Sequence, residues 1–173
     1  LKNQFSFMEK YLELCGIKFI KMDNFEADDL IGTLAKRAIQ YGYVPYIISG
    51  DRDLFQLIDE NIHQVYLSTK GMEIYDIAKL AERYEGLRPE QIIELKALSG
   101  DTSDNIPGVK GIGEKTAIKL LQEFGSLDGI YENIDKQKGK KKENLENDKE
   151  MAYISKQLAT INCNVDIDFD NLF

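Results

Sequence analysis

The sequence predicts an α/β layer followed by a helical portion. Three observations predict it: strand-like runs flank a helical pattern in the first half, no strand signal remains after residue 104, and acidic clusters sit at element boundaries, where α/β folds place ligands. With 173 residues, 43% of them hydrophobic, the chain can build one sizeable core, or a core with a small satellite.

In chain order, Phe5, Met8, Tyr11, Leu12 and Leu14 recur at helical spacing, and Gly16 stops the pattern as a C-terminal cap would. Residues 17–22 alternate apolar residues with lysine and read as a strand. Residues 26–41 follow as a helix, with Leu30, Ile31, Leu34, Ala35, Ala38 and Ile39 on one face. Residues 44–49 are a nearly continuous apolar run, the pattern of a buried parallel strand. Together these segments read as a right-handed βαβ unit.

A short helical piece is expected at 54–58 and a strand at 62–67. Lys70-Gly71 then turns the chain into 72–75 as a hairpin. Asp76 caps a helix through Tyr84, and Pro89 opens another that runs to Ser99. Beyond residue 104, helices are expected at 114–124, 127–133 and 145–159, and an acidic tail without periodicity begins at Asn162. The organisation expected is an α/β core over 1–100 and a helical subdomain with its tail over 101–173.

Composition narrows the function classes. No apolar run reaches transmembrane length and no signal peptide is visible, so a soluble, cytoplasmic protein is expected. The chain opens at Leu1 without an initiator methionine and enters a helical pattern at once, which reads as a piece of a longer protein. Cys15 and Cys163 lie far apart without a CxxC, so neither a disulfide framework nor a zinc site is expected, and both read as reduced packing residues. His63 has no histidine or cysteine nearby and reads as a strand surface residue. The net charge of −8 argues against a nucleic-acid partner only if it is spread evenly. Seven carboxylates in three clusters account for nearly all of it.

Those clusters are Glu26-Ala-Asp28-Asp29, Asp51-Arg-Asp53 and Asp101-Thr-Ser-Asp104. For the first, capping of a helix N-terminus is the competing explanation. The second sets two like charges at the mouth of a strand, where their repulsion calls for a cation. Sites made only of carboxylates suit Mg²⁺ or Mn²⁺ better than zinc, and two-metal phosphoryl chemistry draws several acids from different segments.

The third cluster runs straight into Gly108-Val-Lys110-Gly111-Ile-Gly113, a turn that opens onto a helix at Glu114. Its backbone N–H groups and the helix dipole are placed to face an anion. A P-loop is excluded, because Glu114 intervenes before Lys115-Thr116. A dinucleotide fingerprint is excluded because Thr116 stands where a third glycine is needed. Further on, Lys136-Gln-Lys138-Gly-Lys140-Lys141-Lys142 reads either as a solvated loop or as a second contact to a phosphate backbone.

Three stretches carry a family resemblance: Phe25-Glu-Ala-Asp-Asp-Leu-Ile-Gly32, Ile48-Ser-Gly-Asp-Arg-Asp-Leu-Phe-Gln-Leu57 and the run from Leu98 to Ala117. They resemble, in order, the motifs of the 5′ nuclease domain of bacterial DNA polymerase I and of the related stand-alone 5′→3′ exonucleases and flap endonucleases. The resemblance extends to Leu158-Ala-Thr-Ile161. It implies a PIN-like nuclease core with a mostly parallel sheet flanked by helices, then a helix-three-turn-helix subdomain. Glu26, Asp28, Asp29 and Asp51 are implied to surround one metal ion, and Asp51, Asp53, Asp101 and Asp104 a second, with Asp51 central. Gly108, Lys110, Gly111, Gly113, Lys115 and Thr116 are implied to hold the duplex backbone, with a K⁺ ion bound through carbonyl oxygens.

The activity implied is two-metal-ion phosphodiester hydrolysis on 5′-flap, nicked or gapped DNA in replication and repair. The implied partners are DNA and a polymerase domain joined in the parent protein, with no membrane and a monomeric state. Further metal-binding aspartates and a basic arch precede the matched region in that family, so the chain alone is expected to be weak or inactive. A non-catalytic structure-specific DNA-binding module is the alternative. A haloacid-dehalogenase-like phosphatase is disfavoured by Phe55, which stands where that motif wants Thr or Val.

Overall fold

The spacing of Phe5, Met8 and Tyr11 produces the first helix, α1 (Lys2–Leu14), in the computed structural model of the chain, which describes residues 2–169. Gly16, at φ 69°, ends it in the left-handed conformation that side chains disfavour. The strand expected at 17–22 does not form. A strand is held by a ladder to a neighbour, and among the described residues this segment has none. Ile17 and Phe19 stay exposed instead, while Ile20 and Met22 pack beside a small cluster of Leu30, Val165 and Ile167. The βαβ reading therefore fails at its first strand.

The next helix, α2 (Ala27–Gln40), anchors the returning chain. The Val165 N–H donates to Thr33 Oγ1 at 3.1 Å, and the Arg37 guanidinium donates to the Ile167 carbonyl. The chain up to Tyr41, with the segment from Ile161, forms one compact unit; Gly42–Thr160 forms a second. Cys15 is exposed and so is not the packing residue expected, whereas Cys163 is half-buried; both are free thiols. The end of the predicted acidic tail, 170–173, lies outside the described residues.

In the second unit, β1 (Tyr46–Ser49) pairs parallel with β2 (His63–Ser68), which pairs antiparallel with β3 (Gly71–Tyr75), in the order β1-β2-β3. The hairpin makes the sheet mixed. Ile47 is buried, but Tyr46 and Ile48 are exposed, so β1 is covered on one face and not on both as expected. His63 opens β2 with its ring 5.1 Å from that of Tyr46.

The helical part follows as α3 (Ile77–Arg83), α4 (Gln91–Ser99), α5 (Glu114–Phe124), α6 (Leu127–Glu132), α7 (Gly139–Asn147) and α8 (Lys149–Ala159). Asp76 caps α3 by accepting from the Lys79 N–H at 2.7 Å. Two expectations fail together. The helix predicted over 145–159 breaks at Asp148, and most of the lysine run is not loop but the start of α7. Lys138 precedes α7 in extended conformation, and Leu145 is fully buried, so one apolar anchor carries an otherwise polar helix.

α4 is the centre of this unit. Ile92, Leu95, Ala97 and Leu98 leave it no solvent face, and it packs against α5, α8 and a short 3-10 helix at Asp53–Leu57. Phe55, Leu80, Leu121, Leu127 and Leu145 complete the core. Burial of one such side chain contributes about 1.5–3 kcal/mol. Among the described residues, no helix is long and apolar enough to cross a membrane.

Candidate metal centre

β1 ends at Ser49, and Gly50 passes so close to β2 that a Cβ there would lie 3.0 Å from the Leu67 carbonyl oxygen. The loop that follows is held by Gln64, a fully buried residue of β2 whose Nε2 donates to the Asp51 carbonyl at 2.6 Å and the Ser49 carbonyl at 3.3 Å. Asp51 in turn accepts from the Asp53 N–H at 2.9 Å, which starts the 3-10 helix and points Asp53 toward α4. Gln64 is one residue the sequence reading missed. Its signal was a polar side chain at an inward position of β2, in step with buried Tyr66.

Asp53, Asp101 and Asp104 converge. One carboxylate oxygen from each lies within 4.8 Å of the others, the donor set of a hard divalent cation. The second missed residue, Lys96, stands among them. Its ammonium bonds to Asp53 Oδ1, lies 2.9 Å from Asp101 Oδ2 and 3.6 Å from Asp104 Oδ2, and its side chain is 11% exposed. A lysine buried between Leu95 and Ala97 on the central helix was the signal, since a buried ammonium requires anions beside it.

These charges shape one another. Burial pushes the Asp53 carboxyl up to about 6 against the pull of the Lys96 ammonium, with Asp51 and Asp104 adding repulsion. The Lys96 ammonium and the Ser103 hydroxyl pull Asp101 down to about 2. For Lys96, burial works against the charge, and the bonds it donates to Asp101 and Asp53 outweigh it, so its pKa is raised.

Asp101 is fixed by a small closed loop. Its N–H and carbonyl both bond to Ile106 at 2.8 Å, and its Oδ1 accepts from the Ser103 N–H at 2.9 Å and from the Ser103 hydroxyl. A cleft of about 120 Å³ opens here, lined by Asp53, Lys96, Asp101, Arg52 and Glu114.

Glu26, Asp28 and Asp29 lie together in the other unit, at the N-terminus of α2. Glu26 and Asp29 form a capping box, and Asp29 Oδ1 also accepts from the Asn162 N–H at 2.9 Å. Asp28 is half-buried beside them.

The glycine turn follows the acids directly. Gly108 and Gly111 take positive φ, 63° and 74°, and Gly113 caps α5. Its amides are largely spent on the protein, contrary to the expectation that they face an anion. Gly108 N–H donates to Ser155 Oγ at 3.0 Å, Val109 N–H to the Leu98 carbonyl, and Ile112 N–H to the Val109 carbonyl. The Lys110 peptide is held on both sides, its N–H by Asp148 Oδ2, just past α7, and its carbonyl by Asn144 Nδ2 of α7, both at 2.8 Å. Lys115 and Thr116 lie in the first turn of α5, where the Thr116 N–H bonds to the Gly113 carbonyl at 2.9 Å.

Acids after β1 and after α4, joined by a glycine turn to α5, sit in the fold of known 5′ nucleases. The structure matches a zinc-bound bacteriophage T5 5′-exonuclease with a TM-score of 0.77 and 29% identity, over 91% of this chain and 59% of that one. A T5 flap endonuclease in a pseudo-enzyme–product complex with DNA and metal ions matches at 0.74 and 28%, over 92% of this chain and 58% of that one. Family models for the N-terminal resolvase-like domain and the C-terminal SAM fold of 5′-3′ exonucleases match residues 1–85 and 87–172. The chain belongs to the 5′-3′ exonuclease family. DNA polymerase I of Streptococcus pneumoniae R6 is 54% identical over 164 residues, which are 92% of this chain and 18% of that protein.

Proposed function

We propose that this chain is part of a metal-dependent 5′→3′ DNA exonuclease or flap endonuclease of replication and repair. The observation that carries the reading is the convergence of Asp53, Asp101 and Asp104 within 4.8 Å, next to a turn that presents the start of α5. Their hard oxygen donors favour Mg²⁺ or Mn²⁺. Divalent ions there would supply Lewis-acid activation of a water nucleophile and stabilisation of the leaving 3′ oxygen. Asp51, held by Gln64, lies two residues before Asp53 and is a further carboxylate of the same loop.

In this reading residues 1–100 belong to the nuclease core and 101–173 to the duplex-holding part. Gly108, Lys110, Gly111, Gly113, Lys115 and Thr116 hold the duplex without reading its sequence, with K⁺ at the turn. The substrate is 5′-flap, nicked or gapped DNA, the protein acts as a monomer in the cytoplasm, and a polymerase domain is joined to it in the parent protein.

Lys96 favours one rival, a non-catalytic DNA-binding module in which the ammonium neutralises the acids permanently. A 5′-flap cleavage assay in Mg²⁺, on this chain and on one extended upstream of Leu1, separates the two. Cleavage by the extended protein that disappears in Asp53→Asn supports the nuclease. Tight flap binding without cleavage by either protein supports the module.

A further inference from the structure

We infer that Lys96 is a built-in counter-ion that competes with the divalent ion for the Asp53–Asp101–Asp104 site and yields its place when the ion binds. The inference rests on the metal-site reading above and goes beyond it by assigning a residue that sets the site's affinity.

Geometry carries it. The Lys96 ammonium touches the same three carboxylates that form the candidate ligand set, and it reaches them from α4, an element fixed on all sides by core packing. Two of the three ligands are themselves mostly buried, with side chains 19% and 24% exposed. Without a cation this arrangement would hold three negative charges within 4.8 Å of one another. The ammonium relieves that repulsion in the metal-free protein.

A divalent ion and an ammonium cannot share those oxygens without repelling each other, so metal binding must bear the loss of the lysine contacts. Lysine suits an exchangeable occupant. Its four-carbon stem lets the head group leave without moving the helix, whereas arginine holds carboxylates with a rigid fork. The third ligand, Asp104, is half-exposed and is the open side through which the exchange can occur.

Lys96→Met removes the charge and keeps an unbranched side chain of similar length. In Mn²⁺ titrations followed by electron paramagnetic resonance, it should bind about tenfold more tightly than the parent chain. Lys96→Arg, which restores the charge, should not gain this affinity. In EDTA, Lys96→Met should melt at a lower temperature than the parent, and Mn²⁺ should raise its melting temperature by more.

A second measurement needs no variant. Amine-reactive labelling of the parent chain, read by peptide mass spectrometry, should modify Lys96 slowly in EDTA and about threefold faster in Mg²⁺ as the ammonium leaves. Lys70, in the turn between β2 and β3, should be unaffected. If the parent binds Mn²⁺ but Lys96→Met binds no more tightly, or Lys96 labelling does not rise with metal, the counter-ion role is overturned while the metal site stands. If neither the parent nor Lys96→Met binds Mn²⁺, both fall together.

Discussion

Gly108 crosses the backbone of Gly100 so closely that a Cβ on Gly108 would lie 2.7 Å from the Gly100 Cα. The restriction is mutual, because a Cβ on Gly100 would lie 2.8 Å from the carbonyl oxygens of Ile106 and Pro107. This crossing closes the loop that carries Asp101 and Asp104 and starts the turn that presents α5. Asp101 and Asp104 and the candidate duplex contact therefore flank one tight backbone crossing.

Gly108→Ala should destabilise the chain by about 3 kcal/mol, from steric overlap with backbone and from the positive φ that alanine disfavours. Urea unfolding measures the loss. A variant within about 0.5 kcal/mol of the parent would show that the crossing is not tight.

Ser155 offers a milder test of the same joint. Its hydroxyl accepts from the buried Gly108 N–H, so Ser155→Ala should cost about 1–3 kcal/mol by leaving that donor unpaired. The same unfolding experiment reads it.

Asn144 grips the Lys110 carbonyl from α7. Asn144→Ala should weaken 5′-flap binding by loosening the turn, with a smaller effect on the salt dependence than the charge reversals Lys110→Glu and Lys115→Glu. Each reversal should reduce the slope of log affinity against log salt by about 1. Fluorescence anisotropy across a salt series separates these outcomes. Unchanged affinity in the reversals would move the DNA face elsewhere, with the lysines at the start of α7 as the next surface to test.

Much of this was legible in the sequence because it depends on local chemistry. The boundaries of α5 and the cap at Asp76 follow from residue type and spacing. Asp53, Asp101 and Asp104 stood out as candidates because carboxylates at element ends need an explanation. What sequence could not supply was partnership. The segment 17–22 alternates like a strand yet has nothing beside it to pair with. Lys96, Gln64, Asn144 and Ser155 acquire meaning only when folding brings them to Asp53, Asp51, Lys110 and Gly108, between 13 and 47 residues away. The lysine run read as loop because its one apolar anchor, Leu145, is too little periodicity to reveal a helix.

Asp101 makes the acid range informative. Its carboxyl lies near 2 in the folded chain against an ordinary value of 3.8, so the folded state is favoured while the group is ionised. That contribution is full above the ordinary value and is lost as pH falls from 4 toward 2. In metal-free buffer, Asp101→Asn should be less stable than the parent by about 2 kcal/mol at pH 6, with the gap closing by pH 2. A gap independent of pH would assign its cost to packing.

The central claim is that Asp53, Asp101 and Asp104 hold a divalent ion. Calorimetric titration of Mn²⁺ into the parent chain and into the double variant Asp101→Asn/Asp104→Asn tests it most directly. The account predicts saturable binding in the parent that the double variant loses while remaining folded by circular dichroism. Equal Mn²⁺ binding by a folded double variant, or none by the folded parent, would contradict it.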